Sequence, residues 1–238
     1  MKIHNTINIQ QVTQYRVFYY LCNMKKSILF LAILTIASAC TARNGWTGWE
    51  ETVIDRSDSV MYVAVMPADS AILRAHSADL GPAELGSARL QTLLDKMYRT
   101  LTDPSQDGVG IAAPQVGINR RIVMVMRYDK PGKPIEPYLN IQIDSLLGEP
   151  VPGPEGCLSL PPYRGVVRRS PKVQISYLRR DGTPVTEQVE GYSAIIFQHE
   201  CDHLDGILYT DRADTVYVND AWAAEREAFS YQKPGWWK

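Results

Sequence analysis

His199-Glu200-Cys201-Asp202-His203 sets two imidazoles four residues apart, with a carboxylate directly after the first. On a helix, residues i and i+4 share one face, so both rings can reach a single metal ion. Glu200 lies about 100° round the helix from His199, beside such an ion, where it can take a proton from a water without being a ligand. From Tyr192 to Leu204 the apolar positions follow a 3.6-residue period, which predicts a helix closed by Asp205-Gly206. Tyr192, Ile195 and Ile196 share a stripe with both histidines, so the imidazoles are expected to point inward. The bland alternative is an amphipathic helix with two core histidines, and the intervening glutamate weighs against it. Of the four histidines, His4 and His76 belong to no cluster.

A metal that keeps one position open for catalysis takes three protein ligands. Cys157, in Glu155-Gly156-Cys157-Leu158-Ser159, is the best candidate for the third, because it follows a glycine in a turn-rich stretch and a thiolate suits Fe(II) or Zn(II). Standing alone, this peptide would read as a small buried hydrophobe. Cys201, about 200° from His199 on the helix, falls outside the same ligand shell and reads as packing. A third segment, Gly108-Val109-Gly110-Ile111-Ala112-Ala113-Pro114-Gln115-Val116-Gly117, has small residues that let a substrate approach the backbone. Gln115 in it supplies an amide donor for a developing oxyanion. Pro114 and the lack of a following Lys exclude a nucleotide-binding loop.

The elements that must position these residues read as helix, several short strands, then helix, which describes an α+β domain. Leu85, Leu90, Leu93, Leu94, Met97 and Leu101 recur at helical spacing after Pro82, so one core-facing amphipathic helix is predicted over 83–101. Segments 61–65, 121–127, 138–143, 173–178 and 185–189 have strand character. The last two flank Arg180-Asp181-Gly182-Thr183, a hairpin signal. The tail from Thr215 combines a short helix over 220–229 with Pro234-Gly235-Trp236-Trp237, which reads as exposed.

The chain has 238 residues, 45% hydrophobic and 21% charged, and a mean hydropathy of -0.20. That balance excludes disorder, collagen-like repeats and a multi-span membrane protein. With 25 basic and 26 acidic residues the net charge is -1, which leaves no global basic field for nucleic acid. All the charge in residues 1–39 is positive (Lys2, Arg16, Lys25, Lys26). From Met24, read as the true start, a positive segment, an apolar run from Ile28 to Ala39, and Cys40 form an export signal. Twelve helical residues reach about 18 Å, short of the roughly 30 Å needed to span a bilayer. Ala37-Ser38-Ala39 before Cys40 resembles a bacterial lipoprotein processing site, with lipidation at Cys40; ordinary cleavage at the same Ala-Ser-Ala and an uncleaved segment are the alternatives. The expected organisation is an export signal over 1–39, an anchor and flexible linker over 40–56, a catalytic domain over 57–215 and a tail over 216–238. Only Cys157 and Cys201 then remain in the folded part, so no disulfide framework follows.

Taken together, Gly108-x-Gly110-x-Ala112-Ala113-x-Gln115, Glu155-Gly156-Cys157-Leu158-Ser159 and His199-Glu200-x-Asp202-His203 resemble the three signature motifs of bacterial peptide deformylases, matched at every motif position. The likeness runs over roughly 150 residues, from about Val65 to Asp211-Arg212. The resemblance implies antiparallel sheets of short strands around a central metal-binding helix. It implies one divalent metal on Cys157, His199 and His203, natively Fe(II), with Zn, Ni or Co also able to occupy the site. It further implies removal of the formyl group from N-formyl-methionyl peptides by a metal-activated water, with Glu200 as general base and then acid. Gln115, the Leu158 backbone N–H and the metal would stabilise the oxyanion.

Gly110, Ile111, Tyr192, Ile195 and Ile196 read either as lining of the methionine pocket or as packing. Arg164, seven residues after Cys157, is by the resemblance a peptide contact and on sequence alone a solvated loop charge. Asp202 is expected to orient a ligand or cap a loop. Two other readings stand beside the deformylase. One is a metallopeptidase acting on external peptides, prompted by the export signal; the other is a binding protein that keeps the fold without turnover. If the N-terminal segment is not used, the location is cytoplasmic.

Overall fold

The computed structural model describes residues 45–106, 108–219 and 234–237. The expected export signal, Cys40 and the helix over 220–229 lie outside the described residues. A five-stranded antiparallel sheet has the order β1 (Gly110–Ala112), β2 (Ile122–Met126), β3 (Ile135–Leu147), β6 (Lys172–Leu178), β7 (Pro184–Glu190). A second antiparallel sheet is formed by β4 (Val151–Gly156), β5 (Tyr163–Arg169) and β8 (Thr215–Val218).

The larger sheet is covered on both faces, and its sequence alternation decides which residues go where. Ile111, Ile122, Met124 and Leu139 pack on one side with Leu90, Leu93, Leu94 and Met97 of helix α4 (Ala88–Leu101). Ala112, Val123, Val125 and Tyr138 pack on the other with Ala194, Ile196 and Phe197 of helix α5 (Tyr192–Leu204). Burying each such aliphatic side chain contributes about 1.5–3 kcal/mol, so the two layers fix the sheet and the helix bearing the histidines as one body.

Several expectations change. The helix over 83–101 is broken: a turn, α3 (Pro82–Leu85), precedes Ser87, whose backbone is extended and whose hydroxyl accepts from Leu90 N to cap α4. Residues 61–65 form no strand and belong to neither sheet; Ala64 N donates instead to the Gln115 carbonyl. The linker is folded from residue 45 onward. Thr47 and Glu50 form a capping box for α1 (Gly48–Ile54), and the buried Glu50 carboxylate takes two hydrogen bonds from Arg120. At the other boundary the fold extends past 215, because β8 pairs with β5 from Val166 opposite Thr215 to Tyr163 opposite Val218. Trp237 is buried, not exposed. The hairpin over 180–183 forms as expected, with Gly182 at φ +83° and Thr183 N bonded to Asp181.

Candidate metal centre and active site

Three chain segments meet at one cavity of about 220 Å³. Strand β1 and the single turn that follows it (Ala113–Val116) bring Gly110 and Gln115. The end of β4 brings Glu155 and Gly156, continuing into Cys157 and Leu158, and α5 brings His199 and Glu200. One ligand atom each from Cys157, His199 and His203 lies within 4.8 Å of the others, with Cys157 Sγ 3.2 Å from His203 Nε2. One thiol and two imidazoles at this separation fit a tetrahedral divalent metal with one position left open. Both histidines lie on one helix face, ring centroids 5.1 Å apart, whereas Cys201 turns into the core on the sheet side. Burial pushes the Cys201 thiol pKa upward, which keeps it protonated and apart from the ligand set.

Two of the ligands, Cys157 and His199, are themselves held, whereas His203 Nδ1 has no hydrogen-bond partner among the described residues. Cys157 Sγ faces two donors, Ser159 N at 3.4 Å and Gln115 Nε2 at 3.6 Å, which fix the position of the sulfur. His199 Nδ1 lies 2.8 Å from Glu155 Oε2, which leaves the opposite ring nitrogen for a metal. Desolvation works against the Glu155 carboxylate, but hydrogen bonds from His199 and Arg169 outweigh it and hold its pKa at about 2. Arg169 in turn bridges Glu155 to Asp202, and Asp202 also takes two bonds from Arg212. Asp202 therefore anchors the arginine that anchors Glu155, and Glu155 in turn bonds His199. Glu155 and Arg169 in these roles were not legible in the sequence, because 44 residues separate Glu155 from His199 and no spacing rule joins them.

Glu200 is 4% exposed, and its Oε2 has no hydrogen-bond partner among the described residues. Desolvation pushes its carboxyl up to about 7, opposed by His199 and reinforced by Glu155. Gly110 makes room for it: a Cβ there would sit 2.6 Å from Glu200 Oε1 and 2.8 Å from Ile196 Cγ2. Gln115 is fixed at both ends of its amide. Its oxygen accepts from Ala112 N at 2.8 Å, and its nitrogen donates to Ser159 Oγ at 3.2 Å.

Of the expected pocket residues, Gly110, Arg164, Tyr192, Ile195 and Ile196 line this cavity, as does Leu158. Ile111 does not. Side chains alternate along β1, so Gly110 and Ala112 face α5 while Ile111 points into the α4 core. Tyr192 is half exposed instead of sharing a buried stripe, because it opens the helix at the cavity rim, edge-on to Tyr128 at 5.0 Å. Arg164 lies over Gly156, whose missing Cβ would be 2.9 Å from Arg164 Nε.

Known proteins resemble this chain in sequence and fold. The chain is 44% identical over 143 residues to a peptide deformylase of Symbiobacterium thermophilum, covering 60% of this chain and 64% of that protein. It is 39% identical over 148 residues to a peptide deformylase of Leptospira biflexa, covering 59% and 82%. The crystal structure of a Met-Ala-Ser-bound class I type b peptide deformylase from Acinetobacter baumannii superposes with a TM-score of 0.58 at 38% identity, covering 64% of this chain and 98% of that one. The family model described as polypeptide deformylase matches residues 62–218, a span that holds all three motifs of the cavity, and the chain belongs to that family.

Proposed function

We propose that this chain is a peptide deformylase that hydrolyses the formyl amide of N-formyl-methionyl peptides to formate and a free N-terminal amine. The observation that carries the reading is the single cavity in which Cys157, His199 and His203 converge beside the unpartnered Glu200 oxygen and the fixed Gln115 amide. The Met-Ala-Ser complex of the Acinetobacter relative supports a methionyl peptide as the occupant. Cys157, His199 and His203 would hold a divalent metal, for which we propose Fe(II), and when bound it would supply the Lewis acidity that makes water a nucleophile near neutral pH. Glu200 accepts the water proton at Oε2 and returns it to the departing amine nitrogen. Gln115 Nε2 and the Leu158 N–H donate to the formyl oxygen as negative charge builds on it. Ile195 and Ile196 supply apolar wall for the methionine side chain, Tyr192 its rim, and Arg164 a cationic contact for the peptide.

The size of the site predicts its selectivity. Glu200 and Ile196 pack so closely on Gly110 that a Cβ there would not fit, so this wall of the cavity is fixed and we expect it not to yield to an acyl group larger than formyl. Formyl-Met-Ala-Ser is expected to be hydrolysed at least about 10²-fold faster, in kcat/KM, than acetyl-Met-Ala-Ser. Comparable cleavage of the acetyl peptide, or of an internal peptide bond, would instead support the peptidase reading.

For location we propose an exported protein anchored through a lipid on Cys40, supported by Lys25, Lys26 and the apolar run up to Ala39. Labelled palmitate is expected to enter the full chain in a bacterial host and not its Cys40→Ser variant. Equal labelling, or none in either, contradicts the anchor.

A further inference from the structure

All five of the chain's tryptophans lie outside the span matched by the deformylase family, Trp46 and Trp49 before it and Trp222, Trp236 and Trp237 after it. Three of them, Trp49, Trp236 and Trp237, meet in one aromatic cluster. Trp237 stands edge-on to Trp49 at 5.5 Å and to Tyr62 at 4.7 Å, and Trp236 lies 6.3 Å from Trp49 with Arg56 over its face. Beginning and end of the folded chain are thereby fastened to each other.

The cluster is seated on the back of the turn that carries Gln115. Gly117 closes that turn with φ +86°, and a Cβ on it would lie 2.4 Å from the Trp237 ring, so the indole rests directly on its backbone. Trp49 Nε1 donates to the Gly117 carbonyl at 2.9 Å. Trp237 Nε1 donates to Asp69 Oδ1 at 3.0 Å, and the other Asp69 oxygen accepts from Tyr62 Oη and from Val65 N. The stretch held in this way reaches the site twice: Ala64 N donates to the Gln115 carbonyl at 2.8 Å, and Met66 N to the Ser159 carbonyl at 2.9 Å. Gln115 and Ser159 are the pair whose side chains bond inside the cavity. The clasp therefore touches the oxyanion donor through packing on Gly117, through the Gly117 carbonyl and through residues 62–66.

We propose that Trp237 and Trp49 are positioning residues for Gln115, and that the terminal segments of this chain hold the oxyanion-side amide at its working distance from Cys157. The proposal rests on the deformylase reading for its catalytic arm. An amide donor displaced by a fraction of an ångström stabilises the transition state less while leaving substrate affinity alone, which makes kcat the sensitive quantity.

The test uses the chain from residue 41 to 238, metal-loaded, and its Trp237→Ala, Trp237→Phe and Trp49→Phe variants, at a temperature well below their melting points. Trp237→Ala is expected to lower kcat for formyl-Met-Ala-Ser about 10-fold with KM and metal content within about twofold of the parent. Backbone amide exchange at 116–118 and 64–66 is expected to rise about 10-fold while that of 93–101 in α4 stays unchanged. Trp237→Phe keeps a ring on Gly117 and recovers most of the kcat; Trp49→Phe, which removes the donor to the Gly117 carbonyl and shrinks the ring packed on Trp236 and Trp237, falls between. A folded, metal-replete Trp237→Ala variant with parental kcat overturns the proposal, as does exchange that rises equally in α4. A parent that releases no formate contradicts the deformylase reading instead, and the exchange measurements then decide the clasp alone.

Discussion

Glu200→Gln is expected to lower kcat/KM on formyl-Met-Ala-Ser by about 10³-fold, within the range set by removing a general acid and base. The substitution keeps the shape of a side chain that has almost no freedom, since it is 4% exposed and its Oε1 lies against Gly110. What it removes is the ability to accept a proton at Oε2, the oxygen that no described group satisfies. The metal ligands are untouched, so metal content should equal the parent's. The loss should appear in kcat with KM little changed, because the interaction is made in the transition state and not with bound substrate. Parental activity in a metal-replete Glu200→Gln protein would remove Glu200 from the reaction.

The second large effect is expected at His203. Its ring is 1% exposed and its Nε2 lies 3.2 Å from Cys157 Sγ, so no water-filled space stands ready to replace it as a ligand. His203→Ala should purify with little metal and with activity below about 10⁻³ of the parent's, because two remaining ligands do not hold a divalent ion in an open tetrahedral site. Stability gives a second readout. Metal at a thousandfold excess over its Kd should stabilise the parent by about 4 kcal/mol and leave the melting point of the variant nearly unmoved. A variant that retains one metal per chain would show that His203 is not a ligand. The neighbouring thiol gives a further check on the same set, since the cysteines described in the fold are both free and only Cys157 belongs to the cluster.

Much of this site was legible because its chemistry sits in short local patterns. The spacing of His199 and His203 is a property of one helix, and α5 runs from Tyr192 to Leu204 as its apolar period predicts. The apolar stripe of α4 and the Asp-Gly turn between β6 and β7 are local in the same sense. β4 was not legible, because Val-Pro-Gly-Pro-Glu-Gly reads as a turn. Its two prolines are accepted because β4 is an edge strand paired on one side only, to β5. β1 is three residues long, too short to display its alternation, so the sequence leaves Ile111 open between pocket and packing and the fold decides for packing. The remaining surprises are contacts between distant segments. Glu155 reaches His199, Arg169 reaches Asp202, and Trp237 reaches Asp69 across 168 positions of sequence. Such pairings follow from how the sheets and helices stack, which no single stretch of residues encodes.

The central claim is that Cys157, His199, His203, Glu200 and Gln115 together make a metal-dependent deformylase. Its most direct test is formate release from formyl-Met-Ala-Ser by residues 41–238, purified without oxygen, stripped of metal and then reloaded in parallel with Fe(II), Ni(II) or Zn(II). Rapid release that vanishes on stripping, returns on reloading and is fastest with Fe(II) or Ni(II) is the expected result. Folded protein carrying one metal per chain that releases no formate with any of the three would contradict the account.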